Sequence, residues 1–454
     1  MRPFTGLLVV GLGASLAPLD LAVNVAFPAI TAAFALETQA IRWVVAAYVL
    51  TYASLMLAFG KLGDIVGYRR VFRAGLVVDA AAFVLCSVAP DYGWLLAART
   101  VQGVGAALLL SCAPALVTSL YDESRRTWAL GAYASLGAAA GMIAPLAGGA
   151  SIAALGWSGV FWFRAPLAVV ALALLPLVPD RSPAQRPVRQ DRFDLPGASL
   201  LAAGLALLLI APTLVHSAGS AWPALASALA GVLLLGTFIH RQGSADTPFL
   251  PGAVVRDPGF ALLNLSSAAV HLAAFAVPLL VPYYLARISG LGPLEIGVLL
   301  TPWPVGMMIG SILAAPLARI LGRSPTALMG GALIALGQFA IGSWPAGLAV
   351  MLAALFVHGA GIGLFQVAYT DIVIAALPLH DRGVAGSLTI LTRTIGILIG
   401  AAALTAALQS MEAGNLAAGQ SAREAFLAAF RSVFQGSALL FAVVFAVASV
   451  RRRT

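Results

Sequence analysis

Long apolar runs, separated by short polar segments that carry arginine, organise this chain from end to end. Fourteen stretches reach or approach the roughly 20 residues that a helix needs to cross a bilayer. They are 5–30, 42–62, 71–89, 94–119, 128–154, 160–178, 195–215, 221–240, 259–286, 295–318, 326–344, 346–377, 384–408 and 432–450. Stretches of this length that are apolar on every face belong in lipid or in a protein core. The pattern predicts an all-α polytopic membrane protein with 14 transmembrane helices. Its Gly (46) and Pro (26) fall largely inside these runs, as they do in membrane helices. The first run is not expected to be a cleaved signal peptide. It is too long, holds Asp20 and Asn24, and ends in Phe27-Pro28 without a small-residue cleavage site.

Composition narrows the function classes. Of 454 residues, 61% are hydrophobic and only 9% charged, against about 25% charged in a soluble domain. So little charge cannot cover a soluble globule of this size, which excludes a soluble enzyme and a nucleic-acid-binding module. The formal charge of +9 does not restore a nucleic-acid reading, because the basic residues are scattered between the apolar runs. Cys86 and Cys112 fall late in successive runs, near opposite faces if those runs are antiparallel, so no disulfide is expected. The five histidines do not cluster with cysteines or carboxylates, so no metal is expected. No G-x-x-x-x-G-K-[ST] occurs, which argues against ATP drive within the chain.

The distribution of charge sets an orientation. With the N-terminus inside, 19 of the 26 Lys and Arg lie in cytoplasmic segments. The outer segments hold Arg42, Arg287, Arg423 and Arg431, and Arg99, Arg164 and Arg393 lie in or at the edge of spans. Both termini are therefore expected in the cytoplasm. Two hydrophilic stretches divide the chain into a six-span bundle (1–180), a linker (181–194), a two-helix hairpin (195–240), a second linker (241–258) and a second six-span bundle (259–454). The bundles repeat one another. Gly60–Arg69 aligns with Ala315–Ser324 at an offset of 255, and Gln102-Gly103-Val104-Gly105 aligns with His358-Gly359-Ala360-Gly361 at 256. Parallel halves related about the membrane normal are one transporter architecture, with the substrate site near the midplane.

Four motifs carry a family resemblance. The loop after the second run reads Gly60-Lys61-Leu62-Gly63-Asp64-Ile65-Val66-Gly67-Tyr68-Arg69-Arg70, similar to G-x-L-x-D-x-x-G-R-(R/K). The first run contains Leu19-Asp20, Asn24, Ala26 and Pro28, similar to L-D-x-x-x-x-N-x-A-x-P. The fourth contains Arg99, Gln102, Gly103 and Gly105, similar to R-x-x-Q-G-x-G. The fifth contains Gly141, Pro145, Gly148 and Gly149 after Gly137, similar to G-x-x-x-G-P-x-x-G-G, with Ala144 in place of the Gly before Pro. Together these resemble the major facilitator superfamily, in its 14-span drug:proton antiporter branch. The resemblance implies two six-helix bundles with an inserted hairpin. It also implies conformational gating by Gly60, Gly63, Asp64, Gly67, Arg69 and Arg70, and an exporter-type helix built on the glycines and Pro145.

Asp20 and Arg99 are the candidates for proton coupling. A carboxylate inside a membrane is costly and functional by default. Asp20 lies about 20 Å above the cytoplasmic edge and Arg99 about 7 Å below the outer edge, levels that nearly coincide in a core of about 30 Å. Structural roles, a carboxylate satisfied by neighbouring helices and an arginine holding carbonyls, stay open. Substrate-cavity candidates are Asn24, one turn from Asp20, with Gln102, His271, Phe275, His358, Phe365 and Tyr369. Arg164 replaces the Asn of a W-x-x-x-F-x-x-x-x-P run formed by Trp157, Phe161 and Pro166, and is expected to snorkel to the outer interface. Asp79 is expected to pack against a neighbour or the hairpin, with titration in transport as the alternative, and Asp371 to pair with Arg393 at similar depth.

The reading that follows is a proton-coupled exporter of amphipathic or drug-like compounds, in a bacterial inner membrane, acting as a monomer without a cofactor. Its expected partners are a small-molecule or lipid-like substrate, protons and the bilayer, with no nucleic acid. A dedicated transporter of one lipid or metabolite is the alternative on the same fold. A polytopic membrane enzyme is remote, since no catalytic constellation shares a membrane level.

Overall fold

The computed structural model describes residues 2–122, 125–179, 195–214, 222–242, 258–343, 347–375 and 382–450. The linker 181–194 and most of 241–258 lie outside them. Helices carry the fold, and no β-strand occurs among the described residues.

The chain divides into two compact units. The first comprises Met1–Leu36, Trp43–Leu207 and Ala230–Phe238, and the second Glu37–Arg42, Leu208–Leu229 and Ile239–Thr454. The first unit is built on α1 (Arg2–Ala14), α2 (Leu21–Ala33), α3 (Arg42–Val66), α4 (Tyr68–Ser87), α5 (Tyr92–Ser119), α6 (Arg126–Leu155), α7 (Gly159–Trp162) and α8 (Arg164–Leu174). Helices α9 (Leu195–Leu214) and α10 (Trp222–Gln242) are shared between the units. The second unit holds α11 (Pro258–Ala274), α12 (Ala276–Arg287), α13 (Pro293–Leu300), α14 (Pro302–Leu321), α15 (Arg323–Gly342), α16 (Leu348–Ala375), α17 (Arg382–Ala417) and α18 (Ala422–Val450).

Among the described residues, nine segments are long and apolar enough to cross a membrane, from Pro3–Ala33 to Thr392–Ala417. They coincide with nine of the 14 stretches read from the sequence. The other five stretches correspond to α3, α4, α9, α10 and α18. Helix α4 has 20 residues but carries Arg69, Arg70, Arg73 and Asp79. The described apolar parts of the hairpin, Ser199–Leu208 and Trp222–Phe238, are short.

Proline sets the breaks in the spanning segments. Pro18 has no N–H for the Ala14 carbonyl, so the first span leaves the α-helix and turns as a 3-10 segment, Pro18–Asp20, before α2. Pro166 and Pro278 act in the same way at Phe163 and Phe275, and Pro302 and Pro304 at Thr301. Irregular backbone at membrane depth is tolerated where protein surrounds it, and Asp20 sits at such a place.

The repeated motifs adopt repeated geometry within each unit. Gly67 (φ +101°) begins α4, and Gly322 (φ +93°) begins α15. An added Cβ at Gly103 would press on the Tyr48 carbonyl, and one at Gly359 on the Trp303 carbonyl. One at Gly75 would meet Leu109, and one at Gly330 would meet Phe365. All these pairs are related by offsets of 255 or 256. Gly322→Ala forces an L-residue into backbone space that is nearly Gly-only, and should lower stability by about 1–3 kcal/mol. Thermal unfolding in detergent measures this, and an unchanged midpoint would remove the constraint.

Candidate functional site

Asp20 is the centre of a buried charge cluster in the first unit. The 3-10 turn delivers its carboxylate to four donors. Arg99 of α5 grips it with both terminal guanidinium nitrogens, Nη1 to Oδ1 at 2.7 Å and Nη2 to Oδ2 at 2.9 Å. Arg164, at the start of α8, donates Nη1 to Oδ1 at 2.6 Å. Gln102 Nε2 donates to the same oxygen at 3.1 Å. Bidentate and charge-assisted bonds of this kind are strong and geometrically specific.

Each arginine is itself fixed. Arg99 donates Nε to the Val44 carbonyl at 3.2 Å and Nη1 to Gln102 Oε1 at 2.7 Å, and its guanidinium lies 4.4 Å from the Tyr48 ring centroid. Arg164 donates Nε to the Val160 carbonyl at 2.8 Å and rests 4.6 Å from the centroid of Phe83. Phe161 lies near both cations, at 5.9 and 5.3 Å. These faces are attractive to cations and exclude water.

Arg164 corrects the expectation of a snorkelling side chain: its exposure is 0%. Pro166 interrupts the helix just before it, and the break lets α8 start with Arg164 aimed inward. The sequence signal available was an arginine two residues before a helix-breaking proline, facing a span that already holds an aspartate.

The glycine-rich helix α6 runs along the segment that carries Asp20. Gly137 and Gly141 lie against Pro18, and Gly141 also against Leu21. A Cβ at Gly148 would fall 2.9 Å from the Ala22 Cα and carbonyl oxygen. Pro145 is buried on the same helix, as is Gly149. Asn24, one turn after Asp20, is also buried. Gly148→Val should therefore displace α2 and the Asp20 turn, costing about 1–3 kcal/mol by overpacking. Transport and thermal unfolding of this variant should fall together; loss of neither would mean α6 yields.

Where α3 meets α4, a Cβ at Gly63 in the last turns of α3 would fall 2.7 Å from Cys112 Sγ, and Gly67, between the two helices, holds a positive φ. Gly60 approaches Ser111, Arg69 Nη2 donates to the Leu175 carbonyl at 3.3 Å, and Arg70 is exposed. The side chain of Asp64 lies outside the described residues.

The second unit separates the remaining candidates. Phe365 and Tyr369 stack with centroids 5.7 Å apart. The Tyr369 hydroxyl donates to Asn264 Oδ1 at 2.9 Å and lies 3.0 Å from Thr392 Oγ1. Asn264 and Thr392 were not singled out from the sequence, because single neutral polar residues in long apolar runs give no spacing signal. His271 Nδ1 lies 2.8 Å from the Ser267 carbonyl. Phe275, one turn on, is at the break between α11 and α12. His358 does not join Tyr369: it accepts from Trp303 Nε1 at 3.1 Å and packs on α15 at Gly337. Asp371 pairs with Arg323, Nε to Oδ2 at 2.6 Å, and not with Arg393, which is exposed. Equal depth does not fix which faces of α16 and α17 meet, and Arg323 at the start of α15 reaches Asp371 instead. No cluster able to hold a metal ion occurs among the described residues.

Residues 4–401 match the profile described as Major Facilitator Superfamily. The chain is 32% identical over 431 residues to "Puromycin resistance protein pur8" of Streptomyces alboniger, covering 92% of this chain and 84% of that protein. It is 26% identical to "Riboflavin transporter RibZ" of Clostridioides difficile, covering 87% and 86%. In fold it is similar to the crystal structure of nucleoside transporter NupG, with a TM-score of 0.71 at 10% identity, covering 99% of this chain and 100% of that one.

Proposed function

We propose that this chain, which belongs to the Major Facilitator Superfamily and is a multi-pass membrane transporter, exports amphipathic, drug-like compounds in exchange for protons. The observation that carries this reading is the Asp20 carboxylate, held in a helix break by Arg99, Arg164 and Gln102 and lined by the glycine-rich helix α6. A buried carboxylate between arginines can exist with and without its proton, and each form holds the arginines differently. Protonation frees the guanidinium donors, so proton binding is coupled to helix movement in this unit. The drug-resistance relative supports export of foreign compounds over uptake.

The proposed architecture is that of the 14-span antiporter branch, with six-span bundles at 1–180 and 259–454, the hairpin 195–240 between them, and both termini in the cytoplasm of a bacterial inner membrane. In this reading Gly60–Arg70 gates the change of conformation, and the protein works as a monomer without a cofactor.

The test is transport into inverted vesicles under an imposed pH gradient, with a panel of cationic, neutral and lipidic compounds. Extrusion from intact cells should collapse on adding a protonophore; extrusion unaffected by it would end the antiport reading. A second reading, a dedicated transporter of one polar metabolite, is favoured by the neutral group of Tyr369, Asn264 and Thr392, which suits an uncharged hydrogen-bonding ligand. The riboflavin-transporter relative points the same way. Saturation by a single compound of the panel would select it.

A further inference from the structure

Two complementary polar atoms are unspent beside the Asp20 cluster. Arg164 Nη2 has no hydrogen-bond acceptor, and Asp79 Oδ1 on α4 has no donor, although both atoms are buried. Asp79 is 1% exposed. It lies one turn before Phe83, whose ring carries the Arg164 guanidinium, so the two residues share the interface of α4 with α8. Buried polar groups without partners are uncommon and call for a reason.

The repeat supplies an internal control. In the first unit, Gly105 makes room for Asp79: a Cβ there would fall 2.5 Å from Oδ1 and 2.8 Å from the Asp79 backbone nitrogen. In the second unit, Gly361 makes the same room for Ile334, at the position 255 residues on. The helix pair thus packs with an isoleucine at this place. A carboxylate is not needed for the packing, and its presence in the first unit alone needs another explanation.

Charge gives that explanation. Arg99 and Arg164 are both buried, and they share the single carboxylate of Asp20. A buried cation without its own counter-charge is strongly destabilising. The charged and titratable groups facing Asp79 are Arg99 from α5, Arg164 from α8, Asp20 from the turn before α2, and Tyr48 from α3, with Cys86 on its own helix. Helix α1 meets α4 through Gly13 against Phe72 and Leu76.

We propose that Asp79 is the alternate carboxylate of Arg164 and a second proton-carrying residue of the transporter. In this proposal Asp79 holds a proton while Arg164 is on Asp20; when Asp20 takes up a proton on its carboxylate, Arg164 turns its donors to Asp79, and the Asp79 proton leaves as the guanidinium arrives. One O–H bond forms and one breaks, so the charge of the cluster is unchanged while a proton is passed on. The part concerning transport rests on the proton-exchange reading above. The exchange of partners by Arg164 does not.

The experiment is a double-mutant cycle on the purified full-length protein, read by thermal and denaturant unfolding. Asp79→Asn should cost little, and Asp20→Asn should still fold despite the loss of Arg99's partner, because in each the other carboxylate can serve Arg164. The double variant should lose about tenfold more of its folded-to-unfolded ratio than the product of the two single losses. Losses that multiply within about twofold would overturn the proposal. If the double variant does not fold, adding Arg164→Leu should restore folding by removing the cation that then has no carboxylate; failure to restore it overturns the proposal equally. In proteoliposomes with ethidium as the probe, Asp79→Asn should lose accumulation driven by a pH gradient but keep downhill exchange, and Asp79→Glu should retain both. Full gradient-driven accumulation by Asp79→Asn would remove its proton role. If the parent protein itself shows no gradient-driven transport, proton exchange fails, while the unfolding cycle still decides whether Arg164 has two partners.

Discussion

Asp20→Asn is expected to abolish uphill transport while leaving part of substrate binding in place. The substitution keeps the shape of the side chain and one acceptor oxygen, but it removes the charge that both arginines face and the group that cycles a proton. Arg99 loses its two-pronged grip, at 2.7 and 2.9 Å, and Arg164 loses its bond at 2.6 Å. Removing one member of a buried ion pair costs about 3–5 kcal/mol. The loss should fall at the lower end of that range, because Arg164 can turn to Asp79. Cationic substrates should suffer more than neutral ones, since they compete with the proton for the same charge. Asp20→Glu should retain some transport with a shifted pH optimum, as the carboxylate survives at a different reach. The measurement is transport driven by a pH gradient in proteoliposomes, with unfolding followed in detergent. Uphill transport by Asp20→Asn at the parental rate would move the proton site away from this cluster.

How much of this was legible in the sequence depends on which geometry a residue's position encodes. Depth along a helix is encoded directly: 1.5 Å per residue, counted from the edges of the apolar runs, put Asp20 and Arg99 at one level, and the structure joins them. Small-residue spacing is encoded too. Gly103 and Gly359 mark the same backbone approach in both units, and the offset of 255 to 256 announced it. Helix rotation is encoded poorly in runs that are apolar on all sides. Asp371 and Arg393 share a depth and do not pair, because Arg323 meets Asp371 first. The repeat puts His358 among the cavity candidates with Tyr369, yet it turns to Trp303 and Gly337. Arg164 shows a third limit. An arginine near a span end snorkels by default, and only the break made by Pro166, together with an aspartate on another helix, reverses that rule. Neutral partners such as Asn264 and Thr392 emerge only from tertiary contact, since nothing in their local sequence separates them from filler.

The largest loss of stability is expected from Arg99→Leu, and its contrast with Arg164→Leu separates anchoring from exchange. Arg99 makes four bonds at once: two to Asp20, one to Gln102 and one to the Val44 carbonyl. It thereby ties α5 to α3 and to the turn before α2. Its removal leaves a buried carboxylate held by Arg164 and Gln102 alone and cuts the tie to the Val44 carbonyl, so a cost of about 3–5 kcal/mol is expected. Arg99→Lys keeps the charge but lacks the planar fork, and should recover part of the stability and little of the coupling. Arg164→Leu removes one bond to Asp20 and one to the Val160 carbonyl while Arg99 keeps its full grip. That variant should fold with a smaller loss than Arg99→Leu, yet fail to couple a pH gradient to transport, because the guanidinium that changes partners is gone. Unfolding midpoints and gradient-driven transport, measured on the same preparations, give both axes. An Arg164→Leu protein that unfolds and transports like the parent would remove Arg164 from the coupling and leave it to Asp20 and Arg99.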